Sequence, residues 1–139
     1  MGKIEIEGGT RSQRGTFYTA LYHCMTSPYL YSDEDGRYRG MDDSIHTTAP
    51  QHPRYTVFSL WDTYRALHPL LTLIDRERTE DFVRTMLGQF EEGGELTMWE
   101  LWGHETHCMI GYHACPVILE AYQDGVLDGW DEASLLMRK

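Results

Sequence analysis

Residues 57–74, VFSLWDTYRALHPLLTLI, form the most apolar run in the chain, and their apolar positions recur at helical spacing. A helix is predicted over this span. Directly after it, ERTEDFVRTMLGQFEEGG places Phe82, Val83, Met86, Leu87 and Phe90 on one stripe, and Gly93-Gly94 supplies a stop. Asp75 and Thr79 both suit the start of that next helix. These two periods commit the chain to a mainly α fold. They also raise a question, because Trp61, Asp62 and Arg65 interrupt the first run and His68 follows just before Pro69.

The remaining segments fit the same class. KIEIEG (3–8) alternates apolar and charged residues like a short strand, and GG then breaks it. A helical pattern starts at Ser12, with Phe17, Leu21, Cys24 and Met25 on its apolar face, and Pro28 ends it. Residues 29–55 have no helical period and read as one long loop rich in Tyr, Asp, Gly and Pro, a kind of segment often tied to function. ELTMWELWGHETH (95–107) reads as an aromatic, charged loop, and CMIGYHACPVILEAYQDG (108–125) as a helix, with Pro116 at a kink or in the first turn. A fifth helix opens at Asp131, and the chain stops inside its pattern, as though cut rather than finished. Segments carrying Trp, Asp, Glu and His thus recur between helices, the layout of a helical array whose connecting loops build a site at one end.

Composition narrows the function. At 139 residues the chain holds one domain at most, and 41% apolar residues suffice for a core. A net charge of −10 repels phosphate backbones and argues against nucleic acid. No apolar run reaches the roughly 18 residues that span a bilayer, so no membrane partner is expected, and no signal peptide is visible. Three cysteines, Cys24, Cys108 and Cys115, argue against a disulfide framework and read as small buried apolar groups, the last two on one helical face.

Three groups of residues can do chemistry. SDEDGRYRGMDD fails as a calcium EF-hand loop because Gly36 comes too early; it reads as a solvated acidic loop with its own Asp–Arg pairs, or as a sugar- or ion-contacting loop. In the Trp61–Asp62 pair, the indole face can stack on a pyranose while the carboxylate accepts vicinal hydroxyls, with Arg65 three residues on to orient it. The plainer alternative is a buried Trp beside a surface Asp–Arg pair. In MWELWGHETHCMIGYH, Glu100 and Glu105 lie among Trp99, Trp102 and Tyr112, and carboxyl groups beside indoles can hold raised pKa values or flank a glycosidic bond. The histidines His104, His107 and His113 lack the spacing of a metalloprotease helix and a fourth ligand close in sequence, and a Cys108–His113 nucleophilic pair rests on spacing alone.

Taken in order, GTFYTALYHCM, SDEDGRYRGMD, FSLWDTYRALHPLLTLI, WELWGHETHCMIGYH and VILEAYQDG resemble glycoside hydrolase family 92 from about Lys3 to Trp130. These are calcium-dependent, inverting exo-α-mannosidases, frequent in gut Bacteroidetes and periplasmic or secreted. The resemblance implies a partial (α/α)6 barrel, its first two to three helical hairpins over 12–139, entered by a connector over 1–11. It implies that Trp61 and Asp62 contact the terminal mannose, with Arg65 beside them, and that Glu100, Trp102 and Glu105 belong to the loop lining the same pocket. His104 stands where the family commonly has Asn. The family's acid, base and calcium-ligand segments are absent from this sequence and would lie beyond Lys139, so no catalytic residue and no metal ligand is expected here. The function expected is that of a fragment of an α-1,2-mannosidase, inactive alone, whose partner is a mannose-containing glycan. Two alternatives stand beside it: a helical module that oligomerises through unpaired faces, and a small zinc hydrolase built on the histidines.

Overall fold

A capping box opens the first helix, α1 (Arg11–Cys24): Thr10 Oγ1 accepts the Gln13 amide at 3.2 Å, and Gln13 Oε1 accepts the Thr10 amide at 2.8 Å. The computed structural model describes residues 2–127, 129 and 130. After α1 come four short strands, β1 (Tyr29–Leu30), β2 (Arg37–Arg39), β3 (Ile45–Thr47) and β4 (Tyr55–Thr56). Then follow β5 (Phe58–Ser59), α2 (Leu60–Thr63), α3 (Leu67–Ile74), α4 (Arg76–Gly93), β6 (Trp99–Leu101), β7 (His104–Glu105) and α5 (Ala114–Gln123). All strand pairs are antiparallel: β1 with β4, β2 with β3, and a three-stranded sheet in the order β5-β6-β7.

The stripe on α4 is the hub, as its spacing predicts. Phe82 and Met86 join Tyr55, Phe58, Leu60, Leu71, Ala114 and Val117 in one buried cluster. Val83 and Leu87 join Ala121, Val126 and Leu127 in a second. Gly94 ends α4 at φ 83°, a left-handed conformation that glycine adopts without a Cβ penalty, and its amide donates to Phe90 O at 2.8 Å. A buried ion pair between Arg54 Nη2 and Glu92 Oε2, 2.7 Å, ties the segment before β4 to α4, and Tyr38 Oη and the Met41 amide of the β2–β3 hairpin also donate to Glu92. The acidic loop carries its own Asp–Arg pairs, Asp35 with Arg37 at 2.6 Å and Asp43 with Arg39 at 3.7 Å.

Several expectations change. Residues 3–8 form no strand; Ile4 and Ile6 are half-buried in alternation, but the Ile6 amide donates to Tyr18 Oη and not to a neighbouring strand. Residues 29–55 are two strand pairs rather than one loop, each strand too short to show a period of two. The span 57–74 is not one helix. Val57 lies at φ 68°, Phe58 and Ser59 join a sheet, and Ala66 at φ −140° separates α2 from α3. Leu60, Leu67 and Leu71 keep helical spacing across that break because both helical pieces face the same core. Residues 95–107 fold into the β6–β7 hairpin. Helix α5 starts only at Ala114, which puts Pro116 in its first turn, where a missing amide costs nothing. Cys108 and Cys115 are exposed and share no helix, and Cys24 is half-buried. The helix expected from Asp131 lies outside the described residues. No helix among the described residues is long and apolar enough to cross a membrane.

Candidate functional site

The β5–β6 pairing joins the two segments that sequence reading singled out. Phe58 lies opposite Glu100 and Ser59 opposite Trp99, so α2, which begins at Leu60, leaves the sheet beside the tryptophan-rich hairpin. The Leu60 amide reaches Met98 O at 3.4 Å and holds that junction. Trp61 is 43% exposed, and Asp62 and Arg65 are exposed as well. Ser59 Oγ donates to Asp62 Oδ2, which fixes the carboxylate at the first turn of α2. Arg65 turns to its neighbour instead of Asp62: its Nε donates to Tyr64 Oη at 2.8 Å, and its guanidinium lies 5.1 Å from the Tyr64 ring centre.

Glu100 is 0% exposed. Its carboxylate accepts Thr56 Oγ1 at 2.7 Å, the Val57 amide at 2.9 Å and the Gly103 amide at 2.6 Å. Burial raises its pKa, and the donors from Gly103, Thr56 and Val57 pull against that rise without cancelling it. Two backbone turns therefore close on one carboxyl group: the positive-φ step at Val57 that leads into Trp61–Asp62, and the Trp102–Gly103 turn. Glu105 lies opposite Glu100 in the hairpin but has its own donors. It accepts the amides of Met98 (2.7 Å), Trp99 (3.0 Å), Thr106 (3.0 Å) and His107 (3.3 Å), with Thr97 Oγ1 at 3.1 Å. In this chain both glutamates organise backbone.

Trp102 stands at the hairpin turn at φ 54°, 50% exposed. Its amide donates to Thr56 Oγ1 at 2.8 Å, and its carbonyl accepts Tyr31 Oη at 3.1 Å and Arg39 Nη2 at 2.9 Å. Its ring stacks on Tyr29, with centres 6.3 Å apart and planes inclined by 14°. Thr56, Tyr29 and Tyr31 escaped the reading of residue types, and Arg39 was read only as part of the acidic loop, because nothing in their spacing ties them to residues 100–105.

The three histidines do not converge. His104 faces Asp43 at 3.6 Å, His107 faces Glu95 at 3.4 Å, and His113 packs on Tyr64 with ring centres 4.3 Å apart. Cys108 Sγ meets Thr106 Oγ1 at 3.0 Å and not His113. Among the described residues no group of three His, Cys, Asp or Glu could hold a metal ion, so they do not fit a calcium bound by this chain's side chains alone. A cavity of about 350 Å3 opens elsewhere, lined in part by Tyr38, His52, Arg54, Arg84 and Trp130, and none of the candidate sugar residues borders it.

Comparison with known proteins bears on this geometry. The model of the glycosyl hydrolase family 92 catalytic domain matches residues 1–139. The family GH92 α-mannosidase BT3965 of Bacteroides thetaiotaomicron, solved alone and in complex with mannoimidazole, is 38% identical, with a TM-score of 0.89. The family GH92 inverting mannosidase BT2199 of Bacteroides thetaiotaomicron VPI-5482 is 31% identical, with a TM-score of 0.87. Each match covers 99% of this chain and 18% of the other, so the chain spans under a fifth of the length of these relatives. No curated protein matches. The full-length family match, with an indole and a carboxylate set beside a tryptophan-rich hairpin, leads to one statement of kinship: the chain belongs to glycosyl hydrolase family 92.

Proposed function

We propose that this chain supplies part of the terminal-mannose pocket of an inverting, calcium-dependent exo-α-mannosidase that acts on α-1,2-linked mannosides outside the cytoplasm. On this reading residues 1–11 are a connector, and residues 12–139 are the first hairpins of an (α/α)6 barrel. The observation that carries the proposal is the β5–β6 pairing, which sets Trp61 and Asp62 beside the WELWGHET hairpin in a family of mannosidases. The Trp61 indole offers an apolar face to the C–H side of a hexose. Asp62, steadied by Ser59, accepts from vicinal hydroxyls. Arg65, exposed one turn further on, donates to the same ring. Glu100 and Glu105 act on the sugar through the backbone they hold, and Trp102 extends the pocket along the hairpin.

Inverting hydrolysis needs an acid and a base about 6.5–9.5 Å apart with water between them. Glu100 cannot serve, being fully buried, and Glu105 is spent on backbone amides. The chain alone therefore leaves mannosides intact. Incubation with an aryl α-mannoside and calcium tests this: no release above a heat-killed control is expected, and turnover would refute it.

A further inference from the structure

We infer that Trp102 and Tyr29, with Arg39, Asp43 and His104 around them, form a second sugar-stacking subsite for a ring further along a mannose glycan than the terminal residue. The inference rests on the terminal-mannose reading of Trp61 and Asp62 and deepens it. Half of the Trp102 surface is open, as is 49% of Tyr29, and the two rings stack with planes inclined by 14°, which leaves an exposed aromatic face. Such a face suits the C–H side of a pyranose.

The indole is not loosely placed. Three hydrogen bonds fix the Trp102 backbone, from its amide to Thr56 and to its carbonyl from Tyr31 and Arg39, while the Gly103 amide is held by buried Glu100. Those tethers constrain the main chain and leave the ring open, which is preorganisation for a ligand and contributes little to a core. A polar rim completes the arrangement. Asp43 Oδ1 lies 3.7 Å from Arg39 Nη1 and 3.6 Å from His104 Nε2, so donors and an acceptor for hydroxyls border the aromatic face.

Register separates this face from the terminal pocket. Trp99 pairs with Ser59, next to α2, and Trp102 is three residues further along the hairpin, about 10 Å at strand rise. One ring does not bridge that distance, so an oligosaccharide is the ligand class.

Isothermal titration calorimetry of the whole chain decides it, with methyl α-mannoside and α-1,2-mannotriose as probes. The trisaccharide is expected to bind about tenfold more tightly than the monosaccharide. Trp102→Ala should erase that gain, bringing trisaccharide affinity down to the monosaccharide level, and Trp61→Ala should weaken both. Circular dichroism checks the fold; if Trp102→Ala fails to fold, Tyr29→Leu, which keeps the β1 backbone pairing, carries the same expectation. An unchanged trisaccharide preference in a folded Trp102 or Tyr29 variant overturns the inference. Equal wild-type affinity for both probes overturns it and leaves the terminal pocket standing. Binding of neither probe overturns the terminal pocket and this subsite together.

Discussion

His68 answers part of the question that the 57–74 run poses. It is 1% exposed, packs edge-on against Phe82 with ring centres 6.0 Å apart, and has an Nδ1 with no hydrogen-bond partner. Burial lowers its pKa from 6.5 to about 4. The folded chain then holds fewer protons on His68 than the unfolded chain between those two values. Its contribution to stability is full above pH 6.5 and is lost as pH falls toward 4. Moving from pH 7 to pH 4 should cost up to about 3 kcal/mol through this group. Urea midpoints for wild type and His68→Leu at both values check this, and the variant should lose less stability by about that amount. Glu100 acts in the opposite sense, since its raised pKa gives a contribution that is present at low pH and declines as pH rises through the folded value. The comparison with His68→Leu isolates the histidine.

At the scale of elements, the anchoring of the β2–β3 hairpin hangs on Glu92. Its carboxylate gathers Arg54, Tyr38 Oη and the Met41 amide, and burial with the Glu92 contact helps push the Tyr38 pKa up to about 12. Glu92→Ala strands a buried guanidinium and should cost roughly 3–5 kcal/mol. Hydrogen exchange should show amides of residues 37–47 losing protection before those of α4, and equal loss in both would show that the hairpin is held by other means. The same elements show what a sequence makes legible. The α4 stripe and the glycine stop after it were readable because eighteen residues carry several turns of period. The sheet β5-β6-β7 was not, because strands of two or three residues carry no period and their register is set by Glu100 and Glu105 gathering amides from both sides. The break inside 57–74 was hidden because Leu60, Leu67 and Leu71 keep helical spacing through it. Trp61, Asp62, Glu100 and Glu105 stood out in the sequence as residue types, but the burial of Glu100 and the turn of Arg65 toward Tyr64 depend on backbone that residue types do not reveal.

For the whole molecule, α3 and α5 pack together yet leave Leu73 at 77%, Leu119 at 54% and Tyr122 at 37% exposure, with Ile110 and Tyr112 open nearby in sequence. Apolar surface of this kind seeks a cover. Light scattering of the isolated chain should report self-association, and Leu73→Glu with Leu119→Glu should return it to a monomer; a wild-type monomer that unfolds cooperatively would show that the open residues need no cover. The formal charge of −10 gives the chain as a whole a negative field, and the hairpin adds a carboxylate held against the main chain. Amides of residues 98, 99, 106 and 107, which could otherwise cradle an anion, are already capped by the protein's own Glu105. On the proposed sugar-binding reading, a uronic acid or a phosphorylated sugar drifting toward the hairpin would meet a socket already filled by a carboxylate, so discrimination in favour of neutral hexoses would start in the peptide backbone, ahead of any side chain that touches the ring.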